Sequence, residues 1–250
     1  MKNFCLMMTI FLTGAYFVMA DSFHLPEEAA LLEKVDKQPS DLLYAELARL
    51  RAVYAAEYYR KWLSSEKTAD LQKTIYYAAS ASELSPGWDR PKVLLAIVYA
   101  EFTNDLEALE LATDLLIDAL EINPANGAAQ VLLAQVLMKQ GRFWSAIEQY
   151  KSLFQKNSAM ITPMNTAPLA LCYILDGRLQ AGIIYFKELQ DLRPESSAVA
   201  TGKAVLLRHA GEGERARDVL GRLLVLDGAE SGIREYAAEL LARWDKEDNL

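Results

Sequence analysis

The 250 residues carry 34 acids against 26 Lys and Arg, a formal net charge of −8, and 52% of them are hydrophobic. That acidity argues against a general nucleic-acid binder, because phosphate contacts need a basic footprint. The apolar content, with little Gly and Pro, excludes a disordered chain, and the length suits one solenoid or one to two globular domains.

The chain begins with a targeting pattern. Lys2 supplies a positive charge, residues 4–20 carry none, and Val18-Met19-Ala20 offers small residues at the places a signal peptidase reads. Residues 1–20 therefore read as a signal peptide with Asp21 as the mature start. The alternative is an uncleaved membrane anchor, since the apolar run reaches the lower edge of a membrane span. Both put the remainder outside the cytoplasm. With the signal removed, one cysteine is left, Cys172, on an apolar helical face. It reads as a small buried hydrophobe, because a lone thiol cannot form an internal disulfide.

Residues 21–39 form a lead-in with a short helix-like run, EEAALLEKV, between Pro26 and Pro39. Ser40 then caps a long helix to about Ser64, with Leu43, Leu47, Leu50, Tyr54, Tyr58 and Trp62 at helical spacing. A second helix is expected from about Ala69 to Leu84, stopped by Ser85-Pro86-Gly87. Residues 40–92 read as a degenerate hairpin and connector, with Trp88-Asp89-Arg90-Pro91 as a short insertion. Residues 127–158 read as helix, tight turn at Lys139-Gln140-Gly141-Arg142, and helix. This pattern recurs at a spacing near 34 residues over 93–230. Residues 231–250 supply a last helix and tail, with Ala237, Ala238 and Leu241 facing in and Glu235, Glu239 and Arg243 facing water.

The segment KQGRFWSAIEQY resembles the central turn of the tetratricopeptide repeat, whose unit carries small residues, a turn Gly and an aromatic at fixed places. Ala134, Gly141, Ala146 and Tyr150 hold those places in 127–158. In 93–126 they fall on Ala100, Ala112 and Ala119, with Glu107 replacing the turn Gly. In 163–196 they fall on Ala170, Gly177, Gly182 and Phe186, and in 197–230 on Ala204, Gly211, Ala216 and Leu220. The resemblance implies an all-α, right-handed superhelical solenoid of helix-turn-helix hairpins. It also implies that the first helix of each hairpin lines a groove, formed here by Leu94, Ile97, Glu101, Val131, Gln135, Met138, Ala167, Leu171, Ile174, Thr201, Val205 and Arg208. That row is small and apolar, and it lacks the Lys, Asn and Arg with which the family's best-known groove clamps a carboxylate. It suits a helical or extended apolar segment of a protein partner. An alternative occupant is the chain's own segment 22–38.

Two other surfaces stand out. Tyr58, Tyr59, Trp62, Tyr76 and Tyr77 crowd into one hairpin, and adjacent tyrosines are not expected to point inward together, which makes these five a candidate aromatic contact surface. Charge is also segregated. Between Lys92 and Lys139 there are seven acids (Glu101, Asp105, Glu107, Glu110, Asp114, Asp118, Glu121) and no base, whereas Lys203, Arg208, Arg215, Arg217 and Arg222 cluster later. These read as solvated faces, or as a docking patch for a basic partner or another copy.

No catalytic or metal-binding spacing is present: no HExxH, CxxC or P-loop, and His24 and His209 lack a recognisable partner. Gly211-Glu212-Gly213 falls in an inter-helix turn. No cofactor, metal or nucleic acid is therefore expected. Resemblance to exported bacterial tetratricopeptide proteins implies a non-catalytic periplasmic scaffold for an envelope machine (secretion, pilus, export or cytochrome maturation). The alternatives are an envelope polymer (glycan) binder and an enzyme using helix-borne carboxylates.

Overall fold

The computed structural model describes residues 25–102, 105–225 and 231–248. The expected signal peptide and His24 lie outside them. Every regular element among the described residues is helical. The chain divides into two compact units, one up to Val98 and one from Tyr99 onward.

The first unit holds α1 (Pro26–Lys37), α2 (Asp41–Ser65), α3 (Thr68–Leu84) and the start of α4 (Asp89–Phe102). The expected lead-in is thus a formed helix. Pro26 opens α1, where its missing N–H costs nothing, and Glu27 and Glu28 favour the positive end of the helix dipole. Leu31 and Val35 bury its inner side, and α1 packs against α2. Ser40 caps α2, its Oγ accepting from the Leu43 N–H at 3.3 Å. Glu66, left-handed at φ 53°, ends α2, and α3 turns back on it to form the hairpin core.

Trp88-Asp89-Arg90-Pro91 is not an inserted loop. Asp89 starts α4, and Pro91 sits in its first turn, where its ring is tolerated. The extra length of this repeat is absorbed downstream, where α5 (Leu106–Ile122) begins before the expected turn position Glu107. Asp105 caps α5, its Oδ1 accepting from the Glu107 N–H at 3.1 Å. Counted from Asp89, the close-packing small residue is Ala96, which is fully buried, and not Ala100. Ala134, Ala170 and Ala204 occupy the same place in their helices and are equally buried.

From Tyr99 onward the helices run in pairs: α6 (Gly127–Lys139) with α7 (Phe143–Lys156), α8 (Pro163–Leu175) with α9 (Leu179–Leu192), and α10 (Ser197–His209) with α11 (Gly213–Val225), before a final α12 (Ser231–Asp248). Each first helix packs on the second helix of the preceding pair: α6 on α5, α8 on α7, α10 on α9 and α12 on α11. The first helices also touch in series, α6 to α8, α8 to α10 and α10 to α12. This is the stacking of a helical repeat solenoid.

The three turns within these pairs are closed by one chemistry. Gly141, Gly177 and Gly211 are left-handed at φ 73°, 71° and 81°. Around the first, the Gly141 N–H donates to the Met138 carbonyl at 3.0 Å and the Arg142 N–H to the Leu137 carbonyl at 2.9 Å. The same two bonds recur at Gly177–Arg178 and Gly211–Glu212. They satisfy the carbonyls that each helix end would otherwise leave open. The register slip near Ile161-Thr162 is taken up by a 3₁₀ turn, Ser158–Met160, whose Met160 carbonyl accepts from Asn165 Nδ2 at 2.8 Å. Tyr150, Phe186 and Leu220 fill the gaps between pairs and are fully buried.

On α12 the buried residues are Ala237, Leu240 and Trp244; the expected Ala238 is exposed and Leu241 is half-buried. The inward face is therefore turned by about one helical position from the expected one, drawn round by the bulk of Trp244. Glu235, Glu239 and Arg243 face water as expected.

Candidate functional site

The five-residue aromatic surface expected in the first unit is interior. Tyr58, Tyr76 and Tyr77 are buried, and Tyr59 and Trp62 are half-buried, stacked on each other at 5.9 Å. Tyr77 is the hub: Tyr58 stacks on it at 5.8 Å, while Tyr54 and Tyr76 meet it edge-on at 5.4 and 5.2 Å. Adjacent tyrosines are both buried because successive residues differ by only about 100° on a helix, so a wide buried face takes both. A polar cluster lies beside these rings. Arg51 Nε donates to Glu28 Oε1 at 2.7 Å, Arg51 Nη1 donates to Ser80 Oγ, and Tyr54 Oη donates to Glu27 Oε2 at 2.6 Å. Glu28 and Arg51 are buried, so α1 is fastened to α2 and α3 by a desolvated ion pair. Residues 26–37 of the segment weighed as a groove occupant are thus seated on α2.

The first unit opens on one side into a groove of about 430 Å³. One wall is the α2 stripe Arg49, Ala52, Val53, Ala56 and Arg60, the base is Ala55 and Ala78, and the other wall is Trp88, Arg90, Pro91 and Leu94. Leu94 is the one lining residue anticipated from sequence; Ile97, also in this unit, is half-buried. Repeat place does not mark the three arginines of this lining. Their spacing was nevertheless visible, since Arg49, Val53, Ala56 and Arg60 share one helical face.

In the second unit the expected groove residues divide into two sets. Glu101, Gln135, Ala167 and Leu171 are exposed, Leu171 by 44%, and Val131, Met138 and Ile174 are half-buried. These form the accessible part of the row, extended by Leu175. The α10 residues do not belong to it. Thr201 is buried, with its hydroxyl donating to the Ser197 carbonyl at 2.8 Å. Val205 packs against the cluster of Ala204, Leu207, Ala237, Leu240 and Trp244. Arg208 lies over the Trp244 ring at 5.6 Å and reaches Glu247 at 3.6 Å. Helix α12 covers this face because the last complete pair needs an apolar neighbour.

The charged segments separate in the same way. Glu107, Glu110, Asp114, Asp118 and Glu121 form one exposed stripe along α5. The basic segment is largely matched by acids: Arg215 pairs with Glu212, Arg217 with Asp245 at 3.3 Å, and Arg222 with Asp218 at 2.7 Å. Lys203 donates to Gln190 Oε1 at 2.7 Å in a concavity of about 390 Å³ that it shares with Arg215, Arg222, Glu195 and Asp218. Burial, with Arg215 alongside, lowers the pKa of its ammonium. Mixed signs and local pairs make this a solvated face. A further exposed group escaped the sequence reading: Trp144, 42% exposed, carries the Arg178 guanidinium at 4.1 Å over its ring.

Cys172 is buried, and burial followed by the Asp176 charge pushes its thiol up to about 12. His209 is exposed in the last turn of α10. Among the described residues no group of three or more His, Cys, Asp or Glu is placed to hold a metal ion, and no helix is long and apolar enough to cross a membrane.

Repeated helix pairs, shared glycine turns and serially stacked first helices define a helical repeat protein. Residues 104–158 match the family model described as tetratricopeptide repeat. That segment of the chain carries a tetratricopeptide repeat. Among solved structures the chain is similar to YrrB, described as a TPR protein with an unusual peptide-binding site, at 17% identity and TM-score 0.50, covering 84% of this chain and 98% of that one. It is also similar to a MamA protein at 13% identity and TM-score 0.50, covering 68% and 90%. MamA 41-end from Desulfovibrio magneticus RS-1 aligns at 16% identity and TM-score 0.49, covering 71% and 97%. These likenesses are of fold. No curated protein sequence matches the chain.

Proposed function

We propose that the chain is a non-catalytic scaffold, exported to the bacterial periplasm, that holds a helical or extended apolar segment of a protein partner and supports assembly of an envelope machine. The observation that carries this reading is the row Val131, Gln135, Met138, Leu171, Ile174 and Leu175 on successive first helices. Leu171 and Leu175 stand 44% and 51% exposed where an interior would bury them. Apolar side chains held open on a stacked helical frame favour protein contact. The tetratricopeptide fold and the peptide-binding site described for YrrB support the same class of partner. The uncharged stretch 4–20, ending in Val18-Met19-Ala20, supports export with cleavage before Asp21.

A photo-crosslinking residue at Leu171, with one at exposed Glu188 on α9 as control, tests the scaffold. One envelope protein captured at the first position and not at the second is the expected result. Equal capture at both, or recovery of a glycan without protein, refutes it. Export is tested separately by intact mass: an envelope form retaining Met1 rules out cleavage.

A further inference from the structure

We infer that the groove of the first unit, lined by Arg49, Val53, Arg60, Trp88, Arg90 and Leu94, is a docking site for an extended protein segment with carboxylates at its ends and an apolar side chain between them. The inference rests on the scaffold reading but concerns a different surface from the first-helix row of the second unit.

The chemistry of the lining selects this occupant. Three arginines border the groove, and no carboxylate is among its described lining residues, although the chain as a whole is at −8. Arg49, Arg60 and Arg90 are exposed, so their guanidinium groups are available to a ligand. Arg60 Nε donates to its own helix, to the Ala56 carbonyl at 3.3 Å, which leaves the two terminal nitrogens of its planar fork to meet a carboxylate. Between the arginines the surface is uncharged. Val53 is 52% exposed, and Ala52, Ala55, Ala56 and Ala78 keep the base shallow enough for a ligand backbone to approach. Trp88 on the facing wall offers an aromatic surface to an apolar side chain.

Dimensions select the conformation. Arg49 and Arg60 lie three helical turns apart on one face of α2, a separation of about 16 Å at 1.5 Å per residue. A ligand helix needs its carboxylates about eleven residues apart to reach both arginines, and its bulky apolar anchors would meet a shallow alanine base. An extended chain covers the same distance in about five residues at roughly 3.3 Å each. The ligand is therefore a short acidic–apolar–acidic strand, with Arg90 available to a third acceptor.

Fluorescein-labelled peptides with two Glu residues separated by two to eleven positions and one central Leu test this by anisotropy on the full chain. The expected result is tightest binding at a separation of about five and at least ten-fold weakening when both Glu are replaced by Gln. Weakening with added salt and a similar loss in Arg49→Glu/Arg60→Glu are also expected. Both positions are exposed, and an unchanged circular dichroism spectrum and melting point establish that the variant folds. The Glu-to-Gln arm uses the native chain and decides the question even if it does not. Leu175→Asp is expected to leave this binding intact while abolishing capture by the crosslinking residue at position 171, so the two readings fail separately. Equal binding of the Gln peptides, no optimum or one near eleven, unchanged affinity in the double variant, or binding to phosphatidylglycerol vesicles without peptide binding would each overturn the inference.

Discussion

Gly202 in α10 provides a sharp test of how the last pairs pack. A Cβ built on it falls 2.2 Å from Phe186 Cε1 and 2.8 Å from Cζ. Ordinary carbon contacts lie at about 3.5–4.0 Å, so Gly202→Ala requires the ring to retreat by roughly 1.3 Å. Phe186 is fully buried, with Tyr185 edge-on at 6.3 Å, so that retreat displaces packed neighbours. Overpacking of this kind costs about 1–3 kcal/mol. Replacing a helical Gly by Ala returns up to about 1 kcal/mol. The expected net is a loss of about 1–2 kcal/mol, which lowers the melting temperature by about 2–8 °C for a unit of this size. Gly221 in α11 is the matched control, because nothing lies within 4 Å of its added Cβ. Gly221→Ala should gain about 0.5–1 kcal/mol. Thermal and urea unfolding of both variants give the comparison. If both stabilise alike, the ring yields freely and the packing argument is wrong.

Three further outcomes are expected. Tyr150 is fully buried and its hydroxyl has no hydrogen-bond partner among the described residues; Phe186 holds the same repeat place without one. Tyr150→Phe should be neutral or stabilising by about 1 kcal/mol in urea unfolding, and a loss of more than about 1 kcal/mol would mean the hydroxyl is bonded. Arg51→Met leaves Glu28 buried without its ion-pair partner and should cost the first unit about 3–5 kcal/mol, while Arg51→Met with Glu28→Leu should return close to the native value; a single-variant loss under about 1 kcal/mol would sink this. The Cys172 thiol, at about 12 against an ordinary 9.0, should resist a thiol reagent at pH 8 until the chain unfolds. Because its folded value is raised, its contribution to stability is complete below about pH 9 and is lost as pH rises toward 12; a midpoint in urea unchanged over that window in comparison with Cys172→Ala would refute it.

The pairs from Gly127 onward were legible because their determinants are local. A left-handed Gly and two small residues at fixed distances specify turn and contact within one unit. The shift in α4 was not, because local pattern alone does not decide which end of a repeat holds extra residues. Tyr76 and Tyr77 show a second limit. One-face periodicity underestimates burial where a helix is enclosed on more than one side, and that enclosure comes from α1 and α2, set by Glu28 and Arg51 across a long stretch of sequence. The accessible groove residues followed from repeat place alone, but the loss of Val205 and Arg208 from that row depended on Trp244, which the terminal-helix reading did not place against them.

Helix α12 also bears on how such a chain can lengthen. Its inner face completes the last pair through Ala237, Leu240 and Trp244, while Glu235, Glu239 and Arg243 turn outward. A hairpin added after it would meet charge where stacking needs small apolar residues. Duplication can therefore enlarge the array only by inserting pairs ahead of α12, where the glycine turns and fully buried alanines already match. An engineered extra pair should accordingly be spliced between α11 and α12, not placed after α12.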